Sequence, residues 1–226
     1  MFNMKIDMHC HSYYSNDGIN SPRSLLIEAK NKGLNGIALT DHNTTKGWKE
    51  AQEAADKIGM ILIQGEEIKI KENNKTIGEI LAYFTTKEIN SERKTVQEVI
   101  KEIHNQNGLA IIAHPYHWKK PFKELEKYKN LVDGIEIFNS RSQSKKGNEM
   151  SARFAKKNNL PRIAGSDSHT IFEIGQAYIE IDTTNIEEMK NLIKNNDVRI
   201  KGKQTNPAIQ IFAGLAKLIH FFYQPN

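Results

Sequence analysis

Met4-Lys5-Ile6-Asp7-Met8-His9-Cys10-His11-Ser12 is the stretch on which the reading of this chain turns. Met4–His9 reads as a β-strand, and it runs into two histidines one residue apart. Residues i and i+2 of a strand point to the same side. His9 and His11 therefore aim two imidazoles at one point, and such a pair can hold a metal through its ring nitrogens. Cys10 points the other way and reads as a small buried residue. Ser15-Asn16-Asp17-Gly18 follows as a turn, which brings the Asp17 carboxylate up beside the two histidines.

Outward from this stretch, short apolar runs alternate with amphipathic helical ones. Ser21 and Pro22 make an N-cap and first helical position for a helix to about Lys32, closed by Gly33. Gly36–Thr40 is the next strand, residues 44 or 45 to 58 a helix stopped by Gly59, and Met60–Gln64 a buried strand. Glu67–Lys71 and Ile77–Phe84 read as two strands turning at Asn73-Asn74. Helices at Thr95–Asn107, Phe122–Tyr128, Lys146–Asn158 and Asn185–Lys194 alternate with strands at Leu109–Ala113, Gly134–Phe138, Arg162–Gly165 and Gln176–Ile181. This alternation points to a mainly parallel sheet covered by helices. In a closed α/β barrel the C-terminal strand ends converge on one face, which holds the active site.

Polar side chains gather at those strand ends: Thr40-Asp41-His42, Gly65-Glu66-Glu67, Ala113-His114-Pro115, Glu136 to Arg141 through Asn139, and Gly165-Ser166-Asp167-Ser168-His169. Any one of them passes as a cap or a turn. Together they need a partner, because unpaired charges do not collect in one place at low cost. Asp41 either orients a ligand histidine or caps a helix. Arg141 can fork onto a phosphate. His117, three residues after His114, either meets substrate as a proton donor or sits on the rim.

The ordered series HxH, SNDG, TDH, GEE, AHP, NSR and SDSH resembles the polymerase and histidinol phosphatase (PHP) superfamily, over roughly Met4 to Gln176. The resemblance implies an α/β fold, a distorted seven-stranded (β/α) TIM-like barrel with a short C-terminal strand–helix extension. Residues 1–175 would form the phosphoesterase domain, and 176–226 an extension packed on or next to it. It also implies two or three divalent metal ions, Mn, Fe or Zn. His9, His11, Glu67 and Asp167 would hold the first; Glu67 would bridge to a second, shared with His114; Asp17, His42 and His169 would hold the third. Glu67 rather than Glu66 fits the family pattern, and strand alternation then turns Glu66 away. The chain departs from the family at two positions. Glu79 stands in the strand where many relatives place a histidine, and is either a ligand or a solvated side chain. Asn139 stands where a stronger ligand is common and offers a carbonyl oxygen, a hard neutral donor.

The implied activity is hydrolysis of a small phosphomonoester or nucleotide by metal-activated hydroxide, with Asp17, Arg141 and His117 as the candidate catalytic residues. A 5′-3′ exonuclease acting on short RNA or DNA, and a non-catalytic accessory module, are the alternatives. Tyr13, Tyr14, Tyr116 and Trp118 lie beside the ligand loops and either stack on a base or cover the site.

Composition agrees with a folded protein: 226 residues, 38% apolar, 26% charged, with a formal charge of +5 that either suits an anionic substrate or reflects lysines on solvated helix faces. A single cysteine excludes an internal disulfide and points to a reducing cytoplasm. The N-terminus lacks the apolar region of a signal peptide. Residues 208–223 are apolar, but too short and polar to span a bilayer. They read as packing on the barrel, as a contact between two copies, or as a membrane-surface helix.

Overall fold

The computed structural model describes residues 4–72, 75–118, 121–142 and 145–211. Its strands are β1 (Met4–Cys10), β2 (Gly36–Leu39), β3 (Ile61–Glu72), β4 (Lys75–Tyr83), β5 (Leu109–Ile112), β6 (Gly134–Asn139), β7 (Arg162–Gly165), β8 (Ala177–Ile181) and β9 (Arg199–Gly202). The helices are α1 (Pro22–Asn31), α2 (Trp48–Ile58), α3 (Val96–Asn105), α4 (Leu125–Tyr128), α5 (Lys145–Asn158) and α6 (Ile186–Lys194). Local chemistry sets their ends. Ser21 accepts from Ser24 N at the start of α1, and Thr95 and Glu98 form a reciprocal capping box at the start of α3. Gly59 takes the left-handed conformation that ends α2.

All nine strands join one sheet, in the order β7-β6-β5-β4-β3-β2-β1-β8-β9. The sheet curls until β7 comes back to β1. His11 N donates to Ser168 O at 2.8 Å and Ser168 N to His9 O at 3.3 Å. Asp7 fastens this seam: its carboxylate accepts from Ser166 N and Gly175 N, both at 2.8 Å. Gly165 lets the strands meet, since a Cβ there would lie 2.3 Å from the Cβ of His9. Below the seam Met8, Ala38, Ile63, Leu81, Ile111 and Ile163, from six different strands, pack into one core. Helix α3 covers one flank of the sheet, and α1 and α2 another.

Several expectations need correction. Among the described residues the sheet has nine strands, against the seven of the expected barrel and the one of its extension. The extension adds β8, antiparallel on β1, and then β9, antiparallel on β8. Strand β9 is short and exposed, so its sequence carries no apolar alternation to find it by. The two strands expected on either side of Gly65 are one twelve-residue strand, β3, because Gly65 sits tightly against Thr40, Ala82 and Tyr83. Strand β4 runs antiparallel to both β3 and β5, which interrupts the parallel order. Helix α4 is a single turn: Phe122 instead packs its ring onto Gly78, held by Phe122 N to Pro115 O. Helix α2 begins at Trp48, whose indole N–H reaches Gly65 O at 2.8 Å.

The Asn73-Asn74 turn and most of 208–223 lie outside the described residues. Among those described, no helix is long and apolar enough to cross a membrane.

Gly165→Ala should lower stability by about 1–3 kcal/mol or more, read as a fall in the denaturant midpoint; an unchanged midpoint would mean that the seam is slack. Glu66, on the face of β3 away from the site, offers a pH test. Burial pushes its carboxyl up to about 8, only partly offset by the hydrogen bond from Ile89 N. A carboxyl that binds its proton more tightly folded than unfolded stabilises the fold at low pH and loses that contribution as pH rises from about 4.5 to about 8. Chelator-treated protein should therefore lose stability across that window, and Glu66→Gln should flatten the slope.

Candidate metal centre

At the open end of the barrel the loops after β1, β2, β5 and β7, together with β3 and β4, bring the polar set together. Glu67 stands in the middle. Its Oε1 lies 3.4 Å from His9 Nε2 and 3.0 Å from His114 Nε2, and its Oε2 lies 3.5 Å from His11 Nε2 and 2.6 Å from His42 Nδ1. Asp167 Oδ1 faces His9, His11 and His169 at 3.8, 3.3 and 3.5 Å. Asp17 lies between His42 Nε2 and His169 Nε2, at 3.4 Å from each. Glu79 is buried, not solvated; it reaches His114 Nε2 at 3.4 Å and forms a group with His42 and Glu67. Glu66 points away, toward Ile89 N.

A layer of acceptors behind the imidazoles sets which ring nitrogens face inward. His9 Nδ1 lies 3.0 Å from Glu136 Oε1, and a carboxylate can only accept, so Nδ1 carries the hydrogen. The Ser15 hydroxyl donates to Asp41 Oδ1 at 2.9 Å and so accepts from His11 Nδ1 at 3.1 Å. His169 Nδ1 donates to Asp167 O at 2.9 Å. Asp41 thus orients a histidine through Ser15 and also holds Ser12 N and Oγ, both at 2.7 Å. It caps no helix: α2 starts after Gly47, with no side-chain cap.

The electrostatics follow from this crowding. Burial alone would push the Glu67 carboxyl up; the imidazoles of His42 and His9 and the hydrogen bond to His114 hold it well below the usual carboxylate range. Asp167 is held low in the same way, by His9 and His11. Burial lowers His9, but Glu136, Asp167 and Glu67 raise it well above an ordinary imidazole. His42 and His114 are raised to about 9 against the same burial, His42 first by Glu67 and His114 by its hydrogen bond to Glu67. Burial, with His42 and His169 nearby, drives His11 down to about 3.

This donor set fits divalent cations. His9 Nε2 and His11 Nε2 lie 3.0 Å apart, with both Nδ1 hydrogens already directed at Glu136 and Ser15. Something positive has to lie between them, either a proton on His9 or a metal. Among the described residues, three further groups of ligand atoms are close enough to hold an ion: His11, His42 and His169; His9, His114 and Asp167; His42, Glu67 and Glu79. Imidazoles with carboxylates suit Zn, Fe and Mn.

Asn139 departs from expectation. Its Oδ1 accepts from Arg141 N at 3.1 Å and Ser142 N at 3.0 Å, so the oxygen that would coordinate a metal serves the loop backbone. Its amide donates to Glu136 and Asp167 instead, at 3.1 and 3.3 Å. His117 sits on the rim, its ring centroid 5.6 Å from that of His114. Arg141 lies beyond Asn139, with Nε 3.6 Å from Glu173 Oε1. In the sequence Glu136 stands in the strand-end series with no role of its own, and Glu173 lies outside that series. A lone carboxylate inside the apolar strand Gly-Ile-Glu-Ile-Phe was the available signal for Glu136, since a buried charge needs a partner.

Comparison with known proteins places the chain. The PHP domain family model matches residues 7–140, and the PHP-associated model matches residues 145–198. The chain belongs to the PHP domain family. An uncharacterized protein of Methanocaldococcus jannaschii is 35% identical over 150 residues, covering 61% of this chain and 82% of that one. A protein of Acetivibrio thermocellus named as a probable phosphatase is 26% identical, covering 88% of this chain and 98% of its own. Among solved structures, a two-domain protein from Bacteroides vulgatus, described as containing a predicted PHP-like metal-dependent phosphoesterase, superposes with a TM-score of 0.73 at 20% identity, covering 89% of this chain and 65% of that one.

Glu136→Gln should weaken metal binding about 10- to 100-fold, measured by chelator competition. An amide has a single acceptor oxygen, so it can serve either His9 Nδ1–H or the donors His114 N and Asn139 Nδ2, and its N–H groups would face the other. Wild-type affinity would show that Glu136 does not orient His9.

Proposed function

We propose that the chain is a metal-dependent phosphoesterase that hydrolyses a small phosphomonoester or nucleotide. The observation that carries this reading is Glu67 set among four imidazoles, with the lone pairs of His9 and His11 converging beside it. Two or three divalent ions, Mn, Fe or Zn, suit the donors. His9, His11, Glu67 and Asp167 would hold one, Glu67, Glu79 and His114 another, and Asp17, His42 and His169 the third. Bound cations there supply Lewis acidity toward phosphoryl oxygens and lower the pKa of a water.

The chain's own groups do the rest. Glu136, Ser15 and the Asp167 carbonyl keep three imidazoles turned inward. Asp17, with its carboxylate partly open, borders the space where a phosphoryl group would lie. Arg141 offers its guanidinium fork to that group. His117, on the rim by His114, is placed to give a proton to the leaving oxygen. Residues 1–175 carry the chemistry, and the extension braces the loop that bears Arg141.

Protein loaded with Mn should hydrolyse p-nitrophenyl phosphate or a nucleoside monophosphate, lose the activity to chelator and regain it with metal. His114→Ala should lower kcat by roughly 100-fold or more. No turnover across a broad phosphoester panel by folded, metal-loaded protein would reject the reading.

A further inference from the structure

Glu173 is fully buried, and its two oxygens do different work. Oε2 accepts from His169 N at 2.9 Å, Thr170 N at 3.0 Å and Thr170 Oγ1 at 3.2 Å, which pins the turn carrying His169. Oε1 makes no hydrogen bond and faces Arg141 Nε at 3.6 Å. That distance is too long for a hydrogen bond, yet short enough for strong attraction between charges screened from water. The Arg141 side chain is 23% exposed, and its Nη1 is buried with no hydrogen-bond partner.

A guanidinium in this state is attracted and aimed, but its donors are not consumed. Leaving a buried charged N–H without an acceptor costs stability, and the exposed part of the guanidinium side chain is where an incoming anion can meet it. The backbone around Arg141 is held as firmly as its side chain. Asn139 Oδ1 takes the Arg141 N–H. Thr205 N donates to Ser140 O at 2.7 Å, Gln204 Nε2 to Ser142 O at 3.1 Å and Gln210 Nε2 to Arg141 O at 2.8 Å. The segment after β9 thus straps the arginine loop from outside while Glu173 fixes the side chain from within.

We infer that Glu173 is a positioning residue that aims the Arg141 guanidinium at the phosphoryl group of the substrate and, through its other oxygen, holds the backbone of His169. The inference rests on the phosphoesterase reading above. It makes one buried carboxylate the link between the phosphate grip and the edge of the metal centre.

Glu173→Gln separates the two tasks. The amide oxygen can still accept from His169 N and Thr170 N, while the amide nitrogen presents N–H donors to a guanidinium that has only donors. The probe is inorganic phosphate bound to metal-loaded protein, followed by calorimetry and so independent of turnover. Arg141→Gln should weaken phosphate binding about 10- to 100-fold. Glu173→Gln should weaken it roughly tenfold, with metal stoichiometry unchanged. In the Arg141→Gln background, Glu173→Gln should add almost nothing, because its effect acts through that side chain. In phosphoester assays Glu173→Gln should raise KM more than it lowers kcat.

Equal phosphate affinity in wild type and Glu173→Gln overturns the inference, as does full additivity of the two substitutions. Wild-type protein that binds no phosphate at all overturns the phosphoesterase reading and the inference with it. If Glu173→Gln does not fold, Glu173→Asp carries the same test. It keeps the charge but draws it back by one methylene, so phosphate should bind more weakly than to wild type; unchanged affinity overturns the inference.

Discussion

Between β7 and β1 the backbone at Gly165 approaches His9 so closely that a methyl group on residue 165 would fall 2.3 Å from the His9 Cβ. Asp7 bridges the same gap, holding Ser166 N and Gly175 N with its two oxygens. Close packing leaves no slack at such a seam. Residues 9 and 11 on one side, and 167 and 169 on the other, therefore arrive within ligand distance of each other. The strand ends, with Glu67 inside β3 and Glu79 inside β4, deliver their polar groups where the curl of the sheet leads them, and this closure makes the groups converge.

Convergence creates an electrostatic problem that a protein interior resolves in few ways. Asp17, Glu67, Glu79 and Asp167 meet five imidazoles in a space partly screened from water. With the imidazoles neutral, four negative charges would be left, and a buried charge without a counter-charge is costly. Protons on His9, His42 and His114 provide one solution, visible in their raised pKa values. Divalent cations provide the other, and they compete with those protons for the same lone pairs. Glu136 and Asp41 lie behind the site and decide which nitrogens can take part.

Much of this was legible in the chain itself. The spacing of His9 and His11 marked the inner face of β1, and the runs ending in His42, His114, Asp167 and His169 marked strand termini, whereas Glu67 lies inside β3. These signals survive because ligand chemistry restricts residue type and strand geometry restricts spacing. The extra strand was not legible: Arg199–Gly202 is polar, short and held by backbone bonds that any sequence can make. An amide such as Asn139 offers both a donor and an acceptor, and only the surrounding network shows which of them faces the site. Nothing local in Thr170–Gly175 indicates that the turn folds inward over Glu173.

Asp7 and Ser166 are 159 positions apart in sequence, and Asp7 and Gly175 are 168 apart. Contacts of such span carry a large loop-closure entropy. His9 and Asp167 flank them. An ion gripped by both would act as a crosslink over most of the polypeptide, limiting the unfolded ensemble much as a long-range disulfide does. A chain whose lone cysteine can form no such bridge within itself would have, at its metal centre, a reversible and concentration-dependent clasp.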